Sequence, residues 1–261
     1  MSTVVITGAS GVAGQEIIRQ RPGSHAIVAL SRKPRRMEDD VEWAQADLGS
    51  GGGLTEALQG SDAVVHLASD PKHSQAVDIE GTRRLAQAAQ AAGVRHLLYL
   101  SITGCDRVPF AYYRAKVEAE NIVRASGVPY TILRATQFHE FNDALFRRMA
   151  RAPLVMPVPK RIRTQTVAVS EVADHVWRRI AAGPSAKILD FVGPAVRTWG
   201  DMLPAWRGVR GVHKPVLPLP IIGEALKAFA AGEHTDPNAP AGRITWEDWL
   251  KEERADAYAA R

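Results

Sequence analysis

The chain has 261 residues, 46% of them hydrophobic, with a formal net charge of +5 and a single cysteine, Cys105. That length supports one large core, or one core with a smaller lobe. One cysteine excludes an internal disulfide framework and fits a reducing cytoplasm. No run of about 18 apolar residues occurs, so no membrane span is expected. Nor does a basic leader with a cleavage site precede the first strand, so no signal peptide is expected. The eight histidines are scattered, and no Cys/His cluster has metal-ligand spacing. Positive charge is spread along the chain apart from Arg32-Lys33-Pro34-Arg35-Arg36 and Lys160-Arg161-Ile162-Arg163. Without aromatic residues interleaved to stack bases, these clusters do not predict a nucleic-acid partner. A small molecule is the expected partner.

The first apolar run, residues 3–7, leads directly into three glycines spaced by three, Gly8, Gly11 and Gly14, and then into a helical pattern over 12–20. Strand-like runs at 26–31, 63–68, 95–100 and 129–134 alternate with helical ones at 54–60, 78–92 and 112–126. That alternation predicts an α/β fold with a doubly wound parallel sheet. Gly93 and Gly127 stand where helices should end. After about residue 150 prolines multiply. Residues 165–169 and 188–192 read as further strands around a helix at 171–182. The remainder reads as helices, with capping-box-like starts at Thr198 and Thr245. The predicted organisation is a nucleotide-binding domain over 1–152, with sheet elements returning at about 165–193. A small, mostly helical lobe over 195–261 would face the substrate.

A strand, three glycines and a helix in immediate succession point to dinucleotide binding. Gly8 makes the tight turn, Gly11 lets a pyrophosphate approach the backbone, and Gly14 lets the helix pack on the strand. The free N–H groups and positive end of the helix then receive the phosphates. The second strand ends in Leu30-Ser31-Arg32-Lys33, without a carboxylate to hold free ribose hydroxyls. Arg32 offers a bidentate guanidinium, and Ser31 a hydroxyl, to a 2′-phosphate, so NADP(H) is expected over NAD(H). Asp47 and Leu48 are placed for the adenine. Leu67, Ala68 and Ser69 fall beside the nicotinamide ribose.

Two features predict reaction as well as binding. Tyr112 and Lys116, four residues apart, share one helical face. An ammonium nearby stabilises phenolate and brings a tyrosine towards acid–base work at neutral pH. Tyr113 points elsewhere around the helix. The second feature is Ser101-Ile102-Thr103, at the carboxyl end of a strand, where a hydroxyl can hydrogen-bond a substrate carbonyl as it gains charge.

Together, Thr7-Gly-Ala-Ser-Gly-Val-Ala-Gly14, Ser101 and Tyr112-x-x-x-Lys116 resemble the short-chain dehydrogenase/reductase superfamily. The details look most like its atypical, NmrA-like branch: Leu100-Ser-Ile-Thr-Gly104, then Tyr112-Tyr-Arg-Ala-Lys116, then Pro129-Tyr-Thr-Ile-Leu-Arg-Ala-Thr-Gln-Phe138. The resemblance covers about residues 1–195. It implies a Rossmann domain that binds NADP(H) at Gly8, Ser10, Gly11, Val12, Arg32, Asp47, Ala68 and Lys116, with Ala135 and Thr136 opening a segment that borders nicotinamide and substrate. It also implies Tyr112 as the acid–base residue, Lys116 as its helper and Ser101 as the hydroxyl that orients a carbonyl. Two departures stand out. His66-Leu67-Ala68-Ser69 replaces the usual Asn-Asn-Ala-Gly, and the short spacing from Ser101 to Tyr112 leaves Thr103 open for the serine's role. The expected activity is NADPH-dependent hydride transfer to a small carbonyl, quinone or dye-like acceptor. The alternatives are a redox-sensing binding protein of the NmrA-like kind and a nucleotide-sugar epimerase.

Overall fold

The computed structural model describes residues 2–33 and 41–259. Among these the chain runs β1 (Ser2–Thr7), α1 (Val12–Arg19), β2 (His25–Ser31), β3 (Val41–Gln45), α2 (Leu54–Leu58), β4 (Ala63–His66), a π-helical segment (Gln75–Gly81) and α3 (Thr82–Ala91). It continues through β5 (His96–Ile102), α4 (Ala111–Ala125), β6 (Tyr130–Ala135), α5 (His139–Ala150), β7 (Met156–Val158), β8 (Arg163–Thr164), α6 (Val169–Ala182) and β9 (Ile188–Phe191). The last elements are β10 (Arg197–Thr198), α7 (Trp199–Arg210), β11 (Val216–Pro218), α8 (Glu224–Ala231) and α9 (Trp246–Ala259).

The main sheet has the order β3-β2-β1-β4-β5-β6-β9, a Rossmann-like arrangement. The pairs β2–β3, β1–β2, β1–β4 and β4–β5 are parallel. Strand order reverses beside β1, and the crevice outside the carboxyl ends at such a reversal is where open α/β sheets bind ligands. Val4, Val5, Ile6, Val64 and Val65 are fully buried. Buried on both faces, these strands read as continuous apolar runs and not as alternating ones.

Contact within the chain divides it into two compact units. The first takes 1–101, 111–134 and 172–189. In it, α3 turns Leu85, Ala86 and Ala89 into a core shared with Val5, Leu97, Val123 and Ile132. The Trp177 indole N–H donates to Ile17 O at 2.9 Å and so ties α6 to α1.

The second unit takes 102–110, 135–171 and 190–261, and its longer elements are helices. Its core is aromatic: Phe146 meets Trp199, Trp206 and Trp246 edge-on at 5.7, 5.5 and 6.1 Å. Buried indoles need acceptors, and Trp206 donates to Asp143 while Trp246 donates to Met202 O. No described helix is long and apolar enough to cross a membrane.

Three local expectations change. Residues 165–169 are not a strand: β8 is two residues long, Val167 makes one isolated bridge with Phe138, and α6 starts at Val169. The Gln165 side chain adds to a few backbone hydrogen bonds, donating to Gly193 O and Asp236 O and accepting from Asp236 N–H. Strand β4 stops at His66, because the Thr7 hydroxyl accepts the next two amides, Leu67 N–H and Ala68 N–H. The helix expected from 78 begins at 75, and its first seven residues are wound as a π-helix.

Candidate functional site

The turn between β1 and α1 is built as the spacing of its glycines demands. Gly8 has φ +67°, and a Cβ there would lie 2.7 Å from Ala68 N, so strand β4's continuation rests directly on it. A Cβ on Gly14 would lie 2.4 Å from Gly8 O. Gly11 differs: its missing side chain would meet only Gly8 O, at 3.3 Å, which leaves room above it. Helix α1 opens on Gly11 with no side-chain cap and no acidic residue in its first turn. Its first amides are therefore offered outward at the positive end of the helix, with Ser10, Gly11 and Val12 exposed around them. These features fit a dinucleotide's pyrophosphate.

Ser31 ends β2, and Arg32 and Lys33 are exposed beyond it, with Arg32 O accepting from the Gln45 side chain. Pro34, Arg35 and Arg36 lie outside the described residues. Asp47 shapes its own loop, accepting from Gly49 N–H and the Ser50 hydroxyl. Leu48 packs on the first unit's core, and its carbonyl accepts from Arg84.

At the carboxyl end of β4 a buried network fixes the next residues. Thr82 donates its hydroxyl hydrogen to Asp78 O, so its oxygen accepts from His66 Nε2–H at 2.9 Å. His66 Nδ1 is then left to accept the Thr7 hydroxyl at 2.7 Å. Every donor has one acceptor only if the imidazole is neutral. Burial, helped by the Lys116 charge, pushes the His66 pKa down to about 3, in agreement.

Tyr112 and Lys116 both sit on α4, as expected, but the ammonium has other company. Lys116 is buried, donates to Leu100 O at 3.1 Å, lies 4.4 Å over the Tyr99 ring and stands 3.9 Å from the Asp78 carboxylate. Asp78 is fully buried and accepts the Ser69 hydroxyl at 2.5 Å and Asp70 N–H at 3.1 Å. Ser69 is in turn 2.7 Å from the hydroxyl of half-buried Tyr112. The cluster therefore runs Tyr112–Ser69–Asp78–Lys116, next to Ala68, which touches Gly8. Asp78 is the member that reading the sequence missed. Within Val77-Asp78-Ile79-Glu80 it looks like one of two helix carboxylates, and its partner lies 38 residues on.

The other expected residues fall elsewhere. Ser101 is buried and its hydroxyl donates to Glu120, which also holds Arg134 through two hydrogen bonds of 2.8 and 2.7 Å. Thr103, Ala135 and Thr136 belong to the second unit. There Thr103 N–H donates to Ala135 O, Thr136 Oγ1 accepts Gly193 N–H, and the buried Thr103 hydroxyl has no partner among the described residues.

A parallel sheet reversing at β1, with a glycine turn and an uncapped helix at that point, defines a Rossmann-type dinucleotide-binding protein. The chain belongs to the NAD(P)H-binding family, whose model matches residues 8–181. It is 34% identical over 199 residues to a (4-alkanoyl-5-oxo-2,5-dihydrofuran-3-yl)methyl phosphate reductase of Streptomyces griseus, covering 70% of this chain and 68% of that protein. To a ceramide reductase of Caulobacter vibrioides it is 30% identical over 247 residues, 78% of each chain. Its fold is similar to that of an Escherichia coli NADPH-dependent quinone oxidoreductase solved with NADPH. The TM-score is 0.79 at 22% identity, covering 96% of this chain and 99% of that one.

Proposed function

We propose that this protein is an NAD(P)H-dependent oxidoreductase that uses NADPH to reduce a small carbonyl, quinone or dye-like acceptor. One observation carries the reading: the Tyr112 hydroxyl, tied to a buried carboxylate and ammonium, stands beside the turn built for the dinucleotide. Gly8, Ser10, Gly11, Val12 and Gly14 would hold the pyrophosphate. Ser31 and Arg32 would hold the 2′-phosphate, Asp47 and Leu48 the adenine, and Leu67, Ala68, Ser69 and Lys116 the nicotinamide ribose. The reduced nicotinamide supplies a hydride when bound. Tyr112 donates a proton to the acceptor's oxygen and recovers one from solvent. Ser101 would orient the acceptor's carbonyl once its hydroxyl leaves Glu120. The reductase relatives and the family's cofactor support this reading.

The test is NADPH oxidation against ketones, quinones and triphenylmethane dyes, repeated with NADH and with Arg32→Ala. NADPH should outperform NADH in wild type, and Arg32→Ala should erase most of that preference, at least about tenfold. Tyr112→Phe should lower ketone turnover by about 100-fold and leave quinone reduction nearly intact. Tight NADPH binding with no oxidation by any acceptor would make the protein a sensor instead.

A further inference from the structure

Hydrogen-bond bookkeeping around Ser69 fixes the direction of a proton. Ser69 has one hydroxyl hydrogen and gives it to Asp78 Oδ1. The contact between Ser69 and Tyr112 is then the phenol donating to the serine oxygen. A phenolate at Tyr112 would face that oxygen's lone pairs unless Ser69 turned away from Asp78. Asp78 also lies 3.9 Å from Lys116, the cation that would otherwise stabilise a phenolate on the same helix face.

We propose that Asp78 is a positioning residue for Tyr112: through Ser69 it holds the phenol in place, and by pairing with Lys116 it keeps the phenol in its acid form. In the resting site the phenol's hydrogen rests on Ser69, and it turns to the acceptor's oxygen when one binds, as a reduction requires. The winding of the chain supports the assignment. Asp78 is presented by a π-helical segment, a form that is rare and concentrated at functional sites.

Three titratable groups of the same region have partners of their own. His66 on β4 is neutral, Asp70 turns to Lys72 N–H and His73, and Glu120 on α4 holds Arg134. Asp78 and Lys116 are tied to Tyr112 through Ser69.

This inference rests on Tyr112 being the proton donor, and its test needs neither cofactor nor acceptor, so the two ideas fail separately. The apoprotein is titrated by absorbance at 295 nm, and the Tyr112 phenolate is obtained as the difference from Tyr112→Phe. In wild type, Tyr112 should titrate no lower than a free tyrosine. Asp78→Asn keeps an acceptor for Ser69 but removes the charge, and it should bring the Tyr112 titration down by about one pH unit or more. A wild-type Tyr112 that titrates well below free tyrosine overturns the proposal. So does an Asp78→Asn titration that stays in place or rises. Should Asp78→Asn fail to fold, the wild-type titration alone decides.

Discussion

The two units hold their backbones in different ways. In the first, parallel ladders pair β1 with β2 and β4, and β4 with β5, residue by residue. In the second, long side chains do much of this work. Glu171 accepts from Arg243 N–H and Ile244 N–H, Arg107 donates to Glu233 O and Thr235 O, and Lys214 donates to Ala150 O and Ala152 O. A ladder needs only a repeating apolar pattern. A stitch needs one particular residue at one place. Removing a single stitching side chain should therefore loosen the backbone of the second unit, whereas a ladder strand tolerates the loss of any one exposed polar side chain.

The first test strikes the first unit at its glycine turn. Gly8→Val places a branched side chain at positive φ and against Ala68 backbone. It should cost more than about 4 kcal/mol and leave NADPH binding undetectable by calorimetry. A variant that folds and binds normally would mean that β4 does not rest on the turn.

Acid should strike both units. His66, His96 and His175 in the first unit, and His139 and His234 in the second, are all held below the usual imidazole range chiefly by burial, His66 to about 3 and the others to about 4. Above the unfolded value near 6.5, folded and unfolded chains are equally neutral and the full stability is present. Below it the unfolded chain binds protons that the folded chain refuses, so stability falls as pH drops towards 4. Each histidine contributes up to about 1.4 kcal/mol per pH unit. Urea midpoints measured from pH 7.5 to 5 should drop steadily, and a flat profile would contradict the burial of these rings.

The smallest of the three effects sharpens the contrast most. Glu171→Ala removes the acceptor from one exposed and one half-buried amide of the second unit and should cost about 1 kcal/mol, below the range of about 2–5 kcal/mol for a core leucine truncation such as Leu97→Ala. A loss under about 0.5 kcal/mol in chemical denaturation would show that the stitches are dispensable.

The same contrast explains what the sequence disclosed. Val4 to Ile6, Val64 and Val65, and the glycines after β1 announce their places locally, since strand burial and a tight turn are decided by neighbouring residues. Residues 165–169 mislead because Thr166-Val167-Ala168-Val169 has strand-like composition, whereas its backbone makes one isolated bridge and the Gln165 side chain reaches partners as distant as Asp236. Tyr112 and Lys116 are visible as a helical pair. The carboxylate standing by Lys116 is not, because periodicity within one helix says nothing about which other helix supplies the counter-charge.

The π-helical segment also bears on how such a site changes over evolutionary time. A π turn holds one residue more than the α-helical turn it replaces, and one residue of an α-helix corresponds to about 100° of rotation. Losing a single residue from 79–81 would swing Asp78 out of line with Ser69 while leaving α3 and its aliphatic seam in register. Insertion or deletion there, without any exchange of side chains, is thus a route by which descendants of this chain would acquire or shed their acid–base character.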